Sequence, residues 1–123
     1  MKGKGPREFD LQDRLIEFAV RVMNVVEALP NSRIGNHVAV QLLRSGTSPA
    51  PNYGEAQGAE SRKDFVHKMK VSLKELRETH VWLLMIQRKP LIEPQEKLAP
   101  ILCECNELIS IFVTSIKTAE KNQ

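Results

Sequence analysis

Residues 61–89 read SRKDFVHKMKVSLKELRETHVWLLMIQRK and lie within the longest stretch of the chain without glycine or proline. Ser61, with Asp64 three positions later, resembles a capping box, in which polar side chains satisfy the free backbone amides at the start of a helix. Pro90 follows the stretch, and proline disrupts a helix because it lacks the amide hydrogen and its ring clashes with the preceding turn. The pattern predicts one continuous helix, about 40 Å long at 1.5 Å per residue.

Successive residues of a helix turn by about 100°, so this predicted helix divides into three faces. The apolar face, which we expect to line the core, consists of Phe65, Val66, Met69, Leu73, Leu76 and Leu83. The second face, called here the basic row, consists of Lys63, His67, Lys70, Lys74 and Arg77. The third face, called here the mixed face, consists of Asp64, Lys68, Val71, Glu75, Glu78 and Trp82.

Two further helices are predicted upstream. The first begins at Asp10, a good N-cap residue, and ends before Pro30. The second begins at Asn31 or Ser32. Glycine and two prolines between residues 46 and 51 predict that this helix is kinked or broken there before it resumes to about residue 59.

A fourth helix is predicted to begin at Pro94, with Pro100 bending it or delaying its start. No segment has the alternation of a strand. Long helices joined by short turns favour antiparallel neighbours, so the predicted fold class is all-α, an antiparallel up-down-up-down four-helix bundle. We expect residues 9–120 to form this single domain and residues 1–8 to form a flexible tail.

Composition and side-chain spacing argue against an enzyme. Cys103 and Cys105 lie two residues apart in a helical pattern, which favours buried thiols over a disulfide or metal site and weakly indicates a reducing, cytoplasmic location. No uninterrupted apolar run approaches the ~18 residues of a membrane span. The three histidines fall on different helices or faces, and no Glu-x-x-His motif occurs. We therefore predict no catalytic residues, metal, cofactor or membrane partner.

Four polar residues near the predicted kink form a candidate structural network: Arg44, Ser48, Asn52 and Glu55. Asn52 and Glu55 lie about one helical turn apart, and a buried network of all four would hold the kink. Val71 and Trp82 on the mixed face have two open interpretations, which are packing within the bundle and contact with a neighbouring subunit.

Three runs of the sequence resemble one protein family. They are QLLRSGTS at residues 41–48, NYGEAQGAESRKDFVHK at residues 52–68 and LKELRETHVWL at residues 73–83. Over roughly residues 9–118 the chain is similar to proteins of intervening sequences in large-subunit (23S) rRNA genes, which are distantly related to retroelement accessory variability proteins. It departs from the family pattern at Pro49 and Pro51. The resemblance implies an antiparallel bundle and a homopentamer, and the distant relatives imply binding of nucleic acid and a polymerase-type partner.

The distribution of charge suggests where a partner would bind. Residues 62–89 contain eight Lys or Arg and three Asp or Glu, a net charge of +5, whereas the rest of the chain, with ten basic and twelve acidic residues, carries −2. Like charges in a row repel one another, so RNA or DNA, with its regularly spaced phosphates, is a plausible occupant of the basic row. Two alternatives stay open: a purely solvated face, and a protein-interaction scaffold that does not itself bind nucleic acid.

Overall fold

The computed structural model describes residues 10–122, and within this range all regular structure is helical. The α-helices are α1 (Leu11–Ala28), α2 (Arg33–Thr47), α3 (Pro49–Gln57), α4 (Arg62–Arg88) and α5 (Ala99–Lys121). A short 3-10 turn, Gln95–Leu98, precedes α5, so the expected delay in the start of the last helix is confirmed. The predicted tail at residues 1–8 lies outside the described residues.

The helices α2 and α3 together form the second helix of the bundle, which bends by 19° at their junction. Ser48 keeps helical angles, φ −70° and ψ −37°, and its carbonyl accepts a hydrogen bond from the Asn52 amide at 3.2 Å. The Ser48 side chain accepts no capping hydrogen bond from an amide, so the backbone continues from α2 into α3 without a new N-cap. Pro49 and Pro51 remove two amides that would otherwise bond one turn back, which bends the helix without ending it. The predicted four-helix bundle is confirmed, and of the two predicted states of its second helix, kinked or broken, the structure shows the kinked one.

Local capping explains where three of the helices begin. The side chain of Asp10 accepts a hydrogen bond from the Asp13 amide at 3.0 Å. Ser32 and Ser61 accept equivalent bonds, each at 3.0 Å, from the amides three residues on. Each cap satisfies an amide that has no partner within the helix. The predicted starting points are confirmed, and they were predictable because each hydrogen bond joins residues only three positions apart.

The core runs along the centre of the bundle, with α1 and α4 at opposite corners. Each of these two helices packs against α2, α3 and α5, but they do not pack against each other. The predicted core face of α4 is confirmed: Val66, Met69, Leu76 and Leu83 are buried, and its two remaining members pack partly buried against the core. Because α4 lies at a corner, its side away from the core faces outward.

One side of the apolar last helix is buried in this core. By length and average hydropathy, Gln95–Lys121 could span a membrane. Its apolar side, including the fully buried Leu108 and Phe112, faces the other helices. The amphipathic pattern of α5 is that of a core helix in a bundle.

The two cysteines differ in environment. Cys105 is buried, and its thiol donates to the carbonyl oxygen of Leu76 at 3.4 Å. Burial, with a smaller contribution from the Glu104 carboxylate, raises the pKa of the Cys105 thiol to about 12. Cys103 is exposed, so the prediction of a buried thiol is wrong for this residue. Residues two apart on a helix point about 200° away from each other, and both cannot face one core.

Candidate nucleic-acid interface

The basic row lies on the outward side of α4. All five of its residues are exposed, and α4 continues without interruption beneath them. The row extends from Lys63 to Arg77, which is about 21 Å at 1.5 Å per residue. A long helix at a corner of the bundle therefore presents these side chains along one edge of the molecule.

Only one member of the row has an anionic partner within the described part of the chain. Lys70 Nζ lies 2.9 Å from Glu120 Oε2 on α5, and both side chains are about half exposed. Exposed ion pairs of this kind contribute about 0–1 kcal/mol, because water screens the charges and the side chains lose mobility. Within residues 10–122, Lys63, His67, Lys74 and Arg77 form no ion pair. Four of the five side chains are thus available to a ligand.

The mixed face of α4 is used by the bundle itself. Arg44 of α2 forms ion pairs with Glu75, at 3.0 Å, and with Glu78. Near the start of α4, Lys68 lies 3.3 Å from Glu55 of α3. The alternation of charges on this face therefore matches opposite charges on the bent second helix. It does not form an independent ligand surface.

The indole of Trp82 packs within the bundle. Its Nε1 donates to Glu78 Oε2 at 3.0 Å, and its ring meets the ring of His37 edge to face, with centroids 5.9 Å apart. Trp82 also packs, partly buried, against the hydrophobic core. Of the two interpretations of this residue, packing between α2 and α4 accounts for its position.

The candidate polar network at the bend divides into separate contacts. The side-chain amide of Asn52 donates to Ser48 Oγ at 2.8 Å and to the Ser48 carbonyl at 3.0 Å. Arg44 and Glu55 do not join them, since both side chains pair with residues of α4. Arg44 is also half exposed, so the four residues form no single buried network. The reason is rotational: Arg44 and Glu55 project toward α4, where oppositely charged partners are available.

Two pairs of exposed apolar side chains could not be predicted to be exposed from the sequence. On α4, the outward side continues beyond the basic row through Val81 and Met85, which are 49% and 46% exposed. On α1, Val20 and Met23 are 43% and 44% exposed. Valine and methionine at helical spacing normally indicate a core, and only the packing of neighbouring helices shows that these positions face outward.

The basic row is suited to binding anions through electrostatic attraction. Within residues 10–122, no group of three or more His, Cys, Asp or Glu side chains could hold a metal ion. The basic row offers ammonium and guanidinium donors, which pair with phosphate and carboxylate oxygens. An extended anion that runs parallel to α4 is the ligand that this arrangement fits.

Comparison with known proteins identifies the family. Residues 7–114 match the family described as 23S rRNA-intervening sequence protein. The chain belongs to this family. A solved structure, described as a protein of unknown function from the S23 ribosomal protein family of Bacteroides thetaiotaomicron, is similar to this family member with a TM-score of 0.81 and 36% identity. The similarity covers 88% of this chain and 99% of the other. No curated protein matches the chain.

Proposed function

We propose that this member of the 23S rRNA-intervening sequence protein family is a non-enzymatic bundle that binds nucleic acid through the basic row. The observation that carries the proposal is the exposed line of cations on α4, of which only Lys70 has an intramolecular ion pair in the described chain. Unpaired like charges repel one another, and a polyanion that lies along them relieves this repulsion.

The spacing of the row supports a nucleic-acid backbone as the ligand. Five residues over about 21 Å place one cation every ~5 Å along the helix, within reach of successive phosphates through flexible side chains. Binding releases the counterions condensed on the phosphates, so affinity falls steeply with salt. A contact of this kind reads backbone charge without reading base sequence.

Repetition of the row would strengthen a weak individual contact. We propose that the protein is an oligomer, and the family resemblance favours a homopentamer. Several copies of the row on one assembly would bind one nucleic acid with greater avidity than a single copy, because the second contact becomes intramolecular. This supports a role as a binding platform over a role as a catalyst.

The test is oligonucleotide binding as a function of salt. If four phosphates are neutralised, affinity falls by about 50-fold for a single strand and 150-fold for a duplex between 50 and 200 mM salt. Lys70→Glu with Lys74→Glu should abolish binding at 50 mM salt. The matched control is Arg33→Glu with Lys97→Glu, which makes the same change in net charge at two exposed positions outside the basic row. Equal loss in both double variants, or no binding by the native protein at 50 mM salt, rules out the proposed site.

A second candidate function is a scaffold that docks a protein, such as a polymerase-type partner, without contacting nucleic acid directly. It is favoured by the exposed apolar residues Val81 and Met85, which have no role in binding phosphate. The two functions differ in nuclease sensitivity. A partner that co-purifies from native cells after nuclease treatment supports the scaffold, whereas loss of all bound protein after that treatment supports the nucleic-acid platform.

A further inference from the structure

Two outward-facing rows of side chains on this molecule have the same arrangement. In each row, two apolar residues lie between two residues of like charge. The α4 row consists of Arg77, Val81, Met85 and Arg88. The α1 row consists of Glu17, Val20, Met23 and Glu27. All eight side chains are exposed. Both rows advance in steps of three or four residues, so each occupies one side of its helix.

The rows are matched in length and opposite in charge. Glu17 and Glu27 are ten residues apart, or about 15 Å along the helix, and Arg77 and Arg88 are eleven residues apart, or about 16.5 Å. When the two rows lie side by side, each arginine can therefore reach a glutamate. The apolar pairs then meet at the centre, where burial of their side chains is favourable.

These charges have no partners within their own chain. In residues 10–122, no ion pair involves Glu17, Glu27, Arg77 or Arg88. Elsewhere on α1 the bundle does use charge internally, since Arg14 Nε lies 2.7 Å from Glu104 of α5. The two rows thus differ from the charges that hold the bundle together.

One molecule cannot bring its own two rows together, because α1 and α4 occupy opposite corners and do not pack against each other. We propose that the α1 row of one copy docks on the α4 row of a second copy, head to tail. This inference rests on the oligomer of the proposed function and specifies its contact surfaces. A contact between two different surfaces leaves one row free at each end, so copies add until a ring closes or a filament grows.

The docked arrangement remains compatible with nucleic-acid binding. The contact covers the C-terminal half of α4 and takes Arg77 from the basic row. The other four members of the row, Lys63, His67, Lys70 and Lys74, stay outside the contact. Two helix faces of this length bury a small area, so a single contact is weak. Ile16, 45% exposed, lies one turn before Val20 on α1 and widens the apolar surface of the α1 row. Ring closure gives every copy two contacts, which stabilises the assembly beyond one contact alone.

The experiment is sedimentation velocity of the full chain with charge reversals on either row. The native protein should sediment as a multiple of 14.0 kDa. Glu17→Arg with Glu27→Arg makes both rows basic, and Arg77→Glu with Arg88→Glu makes both acidic. Each double variant should therefore sediment as a monomer. Combining all four substitutions restores opposite charges and should restore the assembly. A fourfold variant that stays monomeric, or double variants that sediment like the native protein, overturns the proposal.

Two additional variants separate lost contact from lost folding. Arg33→Glu with Lys97→Glu, on neither row, should leave the assembly unchanged. Val81→Ser with Met85→Ser keeps every charge and should also give monomers with native helix content by circular dichroism. A monomeric native protein at about 100 µM refutes the docking contact whatever else it binds. An assembled protein that binds no oligonucleotide refutes the proposed function and leaves the contact supported.

Discussion

Replacement of Gly46 by alanine tests how closely the first two helices approach each other. A Cβ atom at Gly46 would lie 2.6 and 2.8 Å from the two methyl carbons of Val22. Both residues are buried, and Val22 is fully enclosed by its neighbours. These distances are well inside van der Waals contact. We therefore expect α1 and α2 to move apart, or Val22 to leave its preferred rotamer, in the Gly46→Ala variant.

The expected magnitude follows from two opposing contributions. Overpacking a core costs about 1–3 kcal/mol, and contacts this short favour the upper half of that range. Replacing glycine by alanine inside a helix raises the free energy of unfolding by about 1 kcal/mol, because alanine has the higher helix propensity. The variant should thus lose about 1–2 kcal/mol of unfolding free energy. Val22→Ala alone should lose about 2–3 kcal/mol, because it removes two buried methyl groups and leaves a cavity.

The decisive measurement is the unfolding free energy of the double variant. It is obtained from denaturant-induced unfolding monitored by circular dichroism, with all variants at the same protein concentration. The methyl group introduced by Gly46→Ala would fill part of the space vacated by Val22→Ala, so the double variant should be at least about 1 kcal/mol more stable than the sum of the single effects predicts. Gly58→Ala is the matched control, since its nearest neighbour would be a carbonyl oxygen 3.8 Å away. It should gain about 0.4–1 kcal/mol. Additive losses within about 0.5 kcal/mol would refute steric contact as the cause.

Three further outcomes are expected. Thr79→Val deletes the hydroxyl that donates to the Glu75 carbonyl at 2.8 Å and is hydrogen-bonded to the buried Ser45 hydroxyl at 2.9 Å. It should cost about 1–3 kcal/mol of unfolding free energy, most of which Ser45→Ala recovers in the double variant, and equal instability of the single and double variants would contradict this. The Cys105 pKa of about 12 lies above its ordinary value of 9.0, so the unfolded chain loses the thiol proton first as pH rises through this interval. Stability should therefore fall by up to about 1.4 kcal/mol per pH unit relative to Cys105→Ala, whereas parallel pH curves would exclude it. Glu120→Gln frees Lys70 from its ion pair and should raise oligonucleotide affinity by about 1.5- to 5-fold, with titrations at 50 mM salt as the measurement and unchanged binding as the contrary result.

If the docking contact and the basic row operate together, the two halves of α4 bind different partners. The N-terminal half carries the cations that remain open, and the C-terminal half carries the residues that dock on α1 of the next copy. Assembly would then set the spacing between successive basic rows. A nucleic acid long enough to touch several rows should bind more tightly than one that spans a single row.

Local features of the helices were accessible from sequence because their causes are local. Side chains at Asp10, Ser32 and Ser61 cap amides three residues away, and periodic apolar residues identify the face that each helix buries. The prolines near residue 50 indicated a disturbance. That the helix bends and does not end is shown only by the structure, where Ser48 keeps helical angles and its carbonyl accepts a hydrogen bond from the Asn52 amide.

The sequence alone specified four amphipathic helices, a kink or break in the second of them and a row of cations on one side of the longest helix, because helical periodicity relates residues three or four positions apart. Tertiary structure decided which polar faces remain open. The mixed face of α4 is occupied because Arg44 and Glu55, distant in sequence, project toward it. Tertiary structure also placed the α1 and α4 rows at opposite corners. Which charges find partners depends on contacts between helices, and these are absent from any single helical pattern.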